Sequence, residues 1–398
     1  MVFDATVNAV FLASVGNAAD PATFSGTPYH CLQAGVELGA IEGGLALETG
    51  GAAWRCDRWI WNLVRLATTG RYGGYQYGER FLERLWHRVE IPPGAILVNF
   101  FQLFPNSVAA DPRYRRWFYI DQTLHQLFTY YGFDSIVPKA VIEESVARER
   151  NQYHSADGVI CHTDWVAQDV RCTYDVPAER VHVVPCGANL DLPALSVWEI
   201  AQRVRSEVDR AVQPDRPLRL VFVGKEWARK GLDRLLRALA LARAAGAAAE
   251  LLVIGVDRAE LPADLAATSG VQWAGFVDKR REPGRFIDMV GACGVGCLLS
   301  RAEAGGMSIR EFVRLGLPTI APLTGGSPEF TVDGAAHLFA PEAPDGEIAE
   351  IIVRLATDAD LLARERAVAW AARKSAGWDH AVRRISQIIS KSQAVEAC

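Results

Sequence analysis

The sequence predicts an α/β protein built from two doubly wound domains. Three observations lead there. The chain has 398 residues, more than one ordinary core holds and enough for two domains of roughly 150–200 residues. Short, continuous apolar runs recur along it, and stretches of helical periodicity separate those runs. Half of the residues are hydrophobic and 22% are charged, the balance of a folded globular chain.

The apolar runs of the first half are 7–13, 95–100, 117–121, 157–162 and 181–185; those of the second half are 218–224, 250–255, 271–275, 294–300, 318–323 and 337–341. Strands that are apolar on both faces suit a parallel sheet covered by helices on each side. Two rounds of strand–helix alternation mean two such sheets. The expected boundaries are a first domain over 1–190, a connection over 191–216 ending in Gln213, Pro214, Asp215 and Arg216, a second domain over 217–375, and a terminal helical piece over 376–398 that packs back on the first domain. Residues 232–244 read as a helix, as do 347–374 and 377–390.

Several classes of protein lose support. Asp4 stands where a secretory leader carries Lys or Arg, and no run approaches the roughly 18 apolar residues of a membrane span. A soluble, cytoplasmic protein is expected. Eight scattered cysteines form no CxxC pair and no zinc-finger spacing, so reduced buried thiols and no metal site are expected. The net charge of −5 resides in residues 1–185, which argues against nucleic acid as a partner. Among 42 basic residues only six are lysines, at 139, 225, 230, 279, 374 and 391. Two of these fall in one glycine-flanked loop.

That loop, Gly224-Lys225-Glu226-Trp227-Ala228-Arg229-Lys230-Gly231, follows a strand and enters a helix. Ligands of doubly wound sheets sit outside the carboxyl ends of the strands. Two ammonium groups beside a helix N-terminus can hold a diphosphate there, though a solvated basic turn would read the same. The glycines fit neither a Walker loop nor GxGxxG.

A second loop, Ser300 to Glu311, follows the run 294–300 and enters an amphipathic helix ended by Gly316 and Pro318. Gly305 and Gly306 leave amides open at the helix start, with Glu303 in the turn and Glu311 about a turn and a half along. One carboxylate can bond sugar hydroxyls and the other ribose hydroxyls, roughly 8–10 Å away, with a diphosphate between them. The alternative is an ordinary turn with Glu311 facing solvent. Met307, Phe312, Val313 and Leu315 form the helix's core face. In the first domain Gly26 allows close backbone approach at the end of the first strand, and Ser25 or Thr27 is a candidate helix cap. Asp121 ends the run 117–121 and His125 follows it on a helix.

Four of these segments together resemble family-4 (group 1) retaining glycosyltransferases of GT-B fold. Glu303 and Glu311 stand at that family's E-x7-E spacing; GKEWARKG is similar to its G-R/K-x4-K-G loop. Gly325-Gly326-Ser327-Pro328-Glu329 with Val332-Asp333-Gly334 is similar to GG-x-P-E-x-x-x-D-G, and HVVPCGAN (182–189) to V-V-P-N-G-V-D. The resemblance implies two Rossmann-like domains facing across a cleft and a nucleoside-diphosphate sugar, UDP- or GDP-linked, as co-substrate without a cofactor. It assigns Glu303 to the donor sugar, amides of Gly305, Gly306 and Met307 to sugar and phosphate, Glu311 to the ribose, Lys225 and Lys230 to the diphosphate, and Phe276 and Val277 to the base. Gly26 corresponds to a glycine loop facing the donor. Near Asp121 many relatives carry a His that touches sugar and acceptor; here Asp121 is the cleft-lining candidate, His125, four residues on, is the alternative, and Thr27 is placed on the acceptor side. Catalysis is expected from Glu303, Lys230, Lys225 and Asp121.

Two departures stand out. Lys225 replaces a commoner Arg, keeping the charge but not the bidentate fork, and Ala304-Gly305-Gly306 replaces Gly-Phe-Gly, which leaves the donor sugar open. The acceptor is a glycan, lipid or small molecule. The Trp-, Tyr- and Arg-rich segment 54–89 reads as acceptor surface and core packing, with a membrane-surface helix as the other reading, since its acids Asp57, Glu79, Glu83 and Glu90 spoil a clean basic face. Asp358-Ala359-Asp360 reads as a helix start, not a metal motif. The competing readings are a nucleotide-sugar epimerase, a phosphorylase-like enzyme, or a non-catalytic nucleotide-sugar-binding protein.

Overall fold

A computed structural model describes residues 9–87, 89–190 and 216–396. Its contacts divide the chain into two compact units, 1–186 with 378–398, and 187–377. The connection expected over 191–216 lies, but for Arg216, outside the described residues.

In the first unit the strands are β1 (Val10–Ala13), β2 (Gly16–Asn17), β3 (Gly43–Gly44), β4 (Ala46–Leu47), β5 (Ile96–Asn99), β6 (Arg115–Ile120), β7 (Gly158–Cys161) and β8 (Val181–Val183). Six of them form one parallel sheet in the order β3-β1-β5-β6-β7-β8, and β2 pairs with β4 in a small antiparallel ribbon. Every described strand residue of β5 and β7 is buried, because crossover helices such as Thr27–Glu37 and Lys139–Ser155 cover the sheet. The last helix, Trp378–Glu396, packs on Thr27–Glu37.

Parallel pairing recurs throughout the second unit: β9 (Leu218–Val223), β10 (Ala249–Ile254), β11 (Val271–Gly275), β12 (Val295–Cys297), β13 (Thr319–Pro322) and β14 (Ala336–Phe339). Their order, β11-β10-β9-β12-β13-β14, reverses between β9 and β12. A crevice opens at the carboxyl ends of strands where the winding changes direction. In this sheet the point lies between the loops that follow β9 and β12.

The helical stretch 347–374 is two helices, Asp345–Thr357 and Ala359–Ala372, and the second begins where Asp358-Ala359-Asp360 predicts a helix start: Asp358 leaves helical geometry and accepts the Leu361 amide at 2.8 Å as an N-cap. Two local expectations need correction. The run 294–300 contributes a strand of only three residues; Leu298, Leu299 and Ser300 continue as a buried loop, which an apolar run alone cannot distinguish from strand. Lastly, neither Ser25 nor Thr27 caps the first helix: the N-cap is Gly26, which offers no side chain.

The core of the first unit contains a buried acid. Glu149 is fully enclosed, with the Tyr153 hydroxyl donating to it at 2.6 Å, the Tyr174 hydroxyl also donating, and the Leu124 amide at 3.1 Å. Burial outweighs those donors and pushes its carboxyl from 4.5 up to about 8. A folded-state value above the unfolded one gives stability that is complete below about 4.5 and is lost as pH rises through about 8. We therefore expect Glu149→Gln to flatten the fall in melting temperature of the wild type between pH 5 and 8.5. Equal slopes in the two proteins would show that the acid stays ionised.

Candidate active site

Phe222, near the end of β9, pairs with Cys297 at the end of β12, so the two following loops start level with one another. The first passes over Lys225 to Lys230 and stops at Gly231, the N-cap of helix Leu232–Ala244. Gly231 has φ 71°, and a Cβ there would lie 2.0 Å from the Leu299 carbonyl oxygen. Only glycine allows the two loops to approach this closely. Backbone bonds then zip them together: the Leu299 amide to the Lys230 carbonyl at 3.3 Å, and the Arg301 amide to the Arg229 carbonyl at 2.8 Å.

This zipper sets Lys230 against Glu303, and the ammonium donates directly to Oε2. The same oxygen accepts from the Ser300 hydroxyl at 3.1 Å and faces the Arg229 guanidinium at 3.4 Å. Arg229 is anchored by the Ala302 carbonyl at 2.8 Å and by Glu226. Thr324 bonds the Ser300 carbonyl at 3.0 Å, and Gly326 in the GG-x-P-E segment bonds the Ala304 carbonyl at 3.0 Å. Glu303 is thus 8% exposed and held by three side chains. Charge-assisted bonds of this kind fix a carboxylate's orientation.

Gly306, at φ 87°, is the N-cap of helix Met307–Arg314. Phe312, Val313 and Leu315 are buried as expected for a core face, whereas Met307 at the helix entrance is only half-buried. Glu311 is 1% exposed, not solvent-facing. Its ion partner is Lys279, from the loop after β11, whose ammonium donates to Oε1 and also lies 5.2 Å from the Phe286 ring centre. Burial raises the Glu311 carboxyl above its ordinary 4.5, while the positive charges of Lys279 and Lys230 pull it back down.

Of the two nominated lysines, Lys230 faces a carboxylate. Lys225 instead sits 4.5 Å over the ring of Phe276, a cation–π contact. Phe276 is 61% exposed and its neighbour Val277 is buried. The second carboxylate's ammonium comes from Lys279, which motif spacing missed. One signal pointed to it: it is another of only six lysines, two residues beyond Val277. Arg229, Ser300 and Thr324 carried no such signal, being ordinary residue types inside the loops.

Gly26, Thr27, Asp121 and His125 lie in the first unit. The loop after β1 turns through three successive positive φ angles, 45° at Phe24, 57° at Ser25 and 87° at Gly26. For two non-glycine residues that is strained backbone, costing about 1–2 kcal/mol each. Asp121 is exposed just past β6. His125, on helix Leu124–Tyr130, has its Nδ1 3.0 Å from Asp169 Oδ1, and its backbone amide donates to the Tyr174 hydroxyl at 3.0 Å. Asp169 also accepts from Thr173 at 2.6 Å. A carboxylate on Nδ1 leaves Nε2 as the ring's other functional nitrogen.

Two family models match this chain: Glycosyltransferase Family 4 over residues 122–192 and Glycosyl transferases group 1 over 217–358. Together they take in just over half of it, including both loops of the site. The chain belongs to the group 1, family 4 glycosyltransferases, and its fold is the GT-B fold.

Among curated relatives it is 28% identical over 243 residues to D-inositol 3-phosphate glycosyltransferase of Xylanimonas cellulosilytica, covering 59% of this chain and 57% of that one. It is 28% identical to D-inositol 3-phosphate glycosyltransferase 1 of Catenulispora acidiphila, covering 64% and 61%. The chain thus matches little more than half the length of these relatives. Among solved structures, Anabaena HepE in complex with UDP superposes with a TM-score of 0.62 at 15% identity, covering 96% of this chain and 100% of that one. At that identity the likeness is one of fold.

Proposed function

We propose that this protein transfers a sugar from a nucleoside-diphosphate sugar to a hydroxyl acceptor with retention of anomeric configuration. The observation that carries the reading is the Lys230–Glu303 contact at the winding reversal of the second sheet, flanked by the buried Glu311–Lys279 pair. In this reading Glu303 bonds donor sugar hydroxyls, and Lys225 and Lys230 with the amides of Gly305, Gly306 and Met307 take the diphosphate. Glu311 takes the ribose, and Phe276 and Val277 border the base. Fixed positive charge aimed at the departing diphosphate is the main catalytic term, so no metal or other cofactor is needed.

The bond from sugar C1 to the diphosphate oxygen breaks, the acceptor oxygen bonds to C1 on the same face, and the acceptor's proton leaves with the nucleoside diphosphate. Glu303 is assigned as a hydroxyl ligand and not as the nucleophile, with Lys230, Arg229 and Ser300 holding it in place through Oε2. Asp121, with His125 as the alternative, and Thr27 are assigned to the acceptor, and Gly26 to the donor. The named activity of the relatives supports a phosphorylated polyol, such as an inositol phosphate, as the first acceptor class to test.

The test is nucleotide release and product mass across UDP- and GDP-sugars with inositol phosphates, with and without a chelator. A glycosylated product of retained configuration is expected, formed equally well with chelator present. Glu303→Gln should reduce transfer at least a hundredfold, in line with losing an oriented group at the reacting centre. Nucleoside diphosphate released without any glycosylated product favours an epimerase, and a fully active Glu303→Gln enzyme defeats the assignment.

A further inference from the structure

Helix Ala52–Thr69 is an 18-residue element with no fully buried side chain. Its inner side is fastened to the first unit. Trp54 stands edge-on to Phe81 at 5.3 Å, Trp61 donates to the Gly73 carbonyl at 2.9 Å, and Asn62 accepts the Gly73 amide at 3.1 Å. Its outer side carries Trp59, Ile60, Leu63, Val64 and Leu66, 48–64% exposed, and Tyr72 follows at 55%. Their spacing places them on one face of the helix. Large apolar side chains contiguous on one face mark a contact surface, unlike those scattered singly.

Charge says what that surface meets. Three of the acids of this segment are taken up, Asp57 by Arg84, Glu79 by Arg148 and the Asn106 amide, Glu83 by the amide and hydroxyl of Ser107, while Glu90 is exposed. Asp57, the one acid on the helix itself, is thereby neutralised. Arg55 and Arg58 are exposed on this helix, and Arg71 and Arg80 are exposed on the segments that follow it. A chain of net charge −5 thus carries a helix whose exposed side joins large apolar side chains to exposed arginines, with its one acid paired.

We propose that this face docks on an anionic lipid bilayer. The stripe Trp59, Ile60, Leu63, Val64 and Leu66 enters the boundary of the acyl chains, and the arginines meet headgroup phosphates. Interfacial helices combine apolar insertion with attraction to anionic lipid in this way. A second copy of the chain is the poorer occupant. Pairing two such faces about a two-fold axis brings two sets of arginines into one interface with no unpaired carboxylate from this helix to receive them. None of the described helices is long and apolar enough to cross a membrane, so the contact lies in the plane of the surface. The inference does not depend on what the site in the second unit transfers.

Flotation of the full chain with vesicles tests it, using phosphatidylcholine alone and phosphatidylcholine with 30% phosphatidylglycerol. Binding to the anionic vesicles at low salt is expected, with at least a tenfold loss in 0.5 M salt or on neutral vesicles. Two double variants, Trp59→Ser with Leu63→Ser and Arg55→Glu with Arg58→Glu, should each weaken binding at least tenfold. Circular dichroism and melting temperature should stay at wild-type values, since all four side chains are exposed. Failure to bind either vesicle, or binding indifferent to both variants, overturns the proposal. So does a micromolar dimer in sedimentation that Trp59→Ser with Leu63→Ser abolishes, because the face then belongs to a second copy.

Discussion

Lys230→Ala is expected to lower turnover by about 10²–10³-fold while leaving the second unit folded. Lys230 is the ammonium bonded to Glu303, and its side chain is 16% exposed. Truncation removes fixed charge from the point where the two loops meet. It does not strand the carboxylate, because Ser300 at 3.1 Å and Arg229 at 3.4 Å still hold Glu303. The loss should therefore appear mainly in kcat and much less in melting temperature. Lys230→Arg should recover only part of the rate, since a planar fork does not reproduce a compact ammonium. Steady-state kinetics alongside a thermal melt checks both statements. Near-wild-type transfer by a folded Lys230→Ala protein would remove Lys230 from the phosphate-binding role.

The second large effect is on stability and comes from Lys279. Removing one partner of a buried ion pair typically costs about 3–5 kcal/mol when the remaining charge cannot escape. Glu311, 1% exposed, can escape only by taking a proton. In Lys279→Met its folded-state value rises further above the ordinary 4.5, with Lys230 as the remaining positive influence. A raised folded value gives stability that is complete below about 4.5 and lost as pH climbs through it. The variant should melt close to wild type at pH 5 and progressively lower toward pH 8.5. Adding Glu311→Gln should restore much of the difference, because no buried charge is then left alone. A deficit that is constant with pH, and not relieved in the double variant, would mean that Lys279 acts through packing alone.

The strands were legible because a sheet buried on both faces writes itself as apolar runs, and all eleven such runs contain a strand of the two sheets. The strand that escaped, β3, is Gly43–Gly44. It has no side chain to give a hydrophobic signal, and the reason for glycine is tertiary: a Cβ on Gly44 would lie 2.9 Å from both Ala18 and Leu32. The meeting of Lys230 with Glu303 was readable from two loops at neighbouring strand ends. The partner of Glu311 was not, since Lys279 arrives from β11, two strands away from β9 in the sheet. Spacing along one loop says nothing about such a visitor. The pairing of Asp57, Glu79 and Glu83 is of the same kind, as their partners lie 24 to 69 residues away in sequence.

The two acid–base couples described above give the site its own internal counterions. An arriving anion that draws Lys279 toward itself leaves Glu311 without its companion in a water-poor setting, a costly outcome, and one that draws Lys230 leaves Glu303 with Ser300 and Arg229 alone. Inorganic phosphate and pyrophosphate supply negative charge and at most a P–OH beside it, with no alcohols placed to reach both carboxylates. A molecule carrying hydroxyl groups on both sides of its phosphates does both at once, donating protons to each carboxylate as it takes each ammonium. In the proposed reading, recognition is an exchange of companions that filters for ligands bearing alcohols and phosphates in one body.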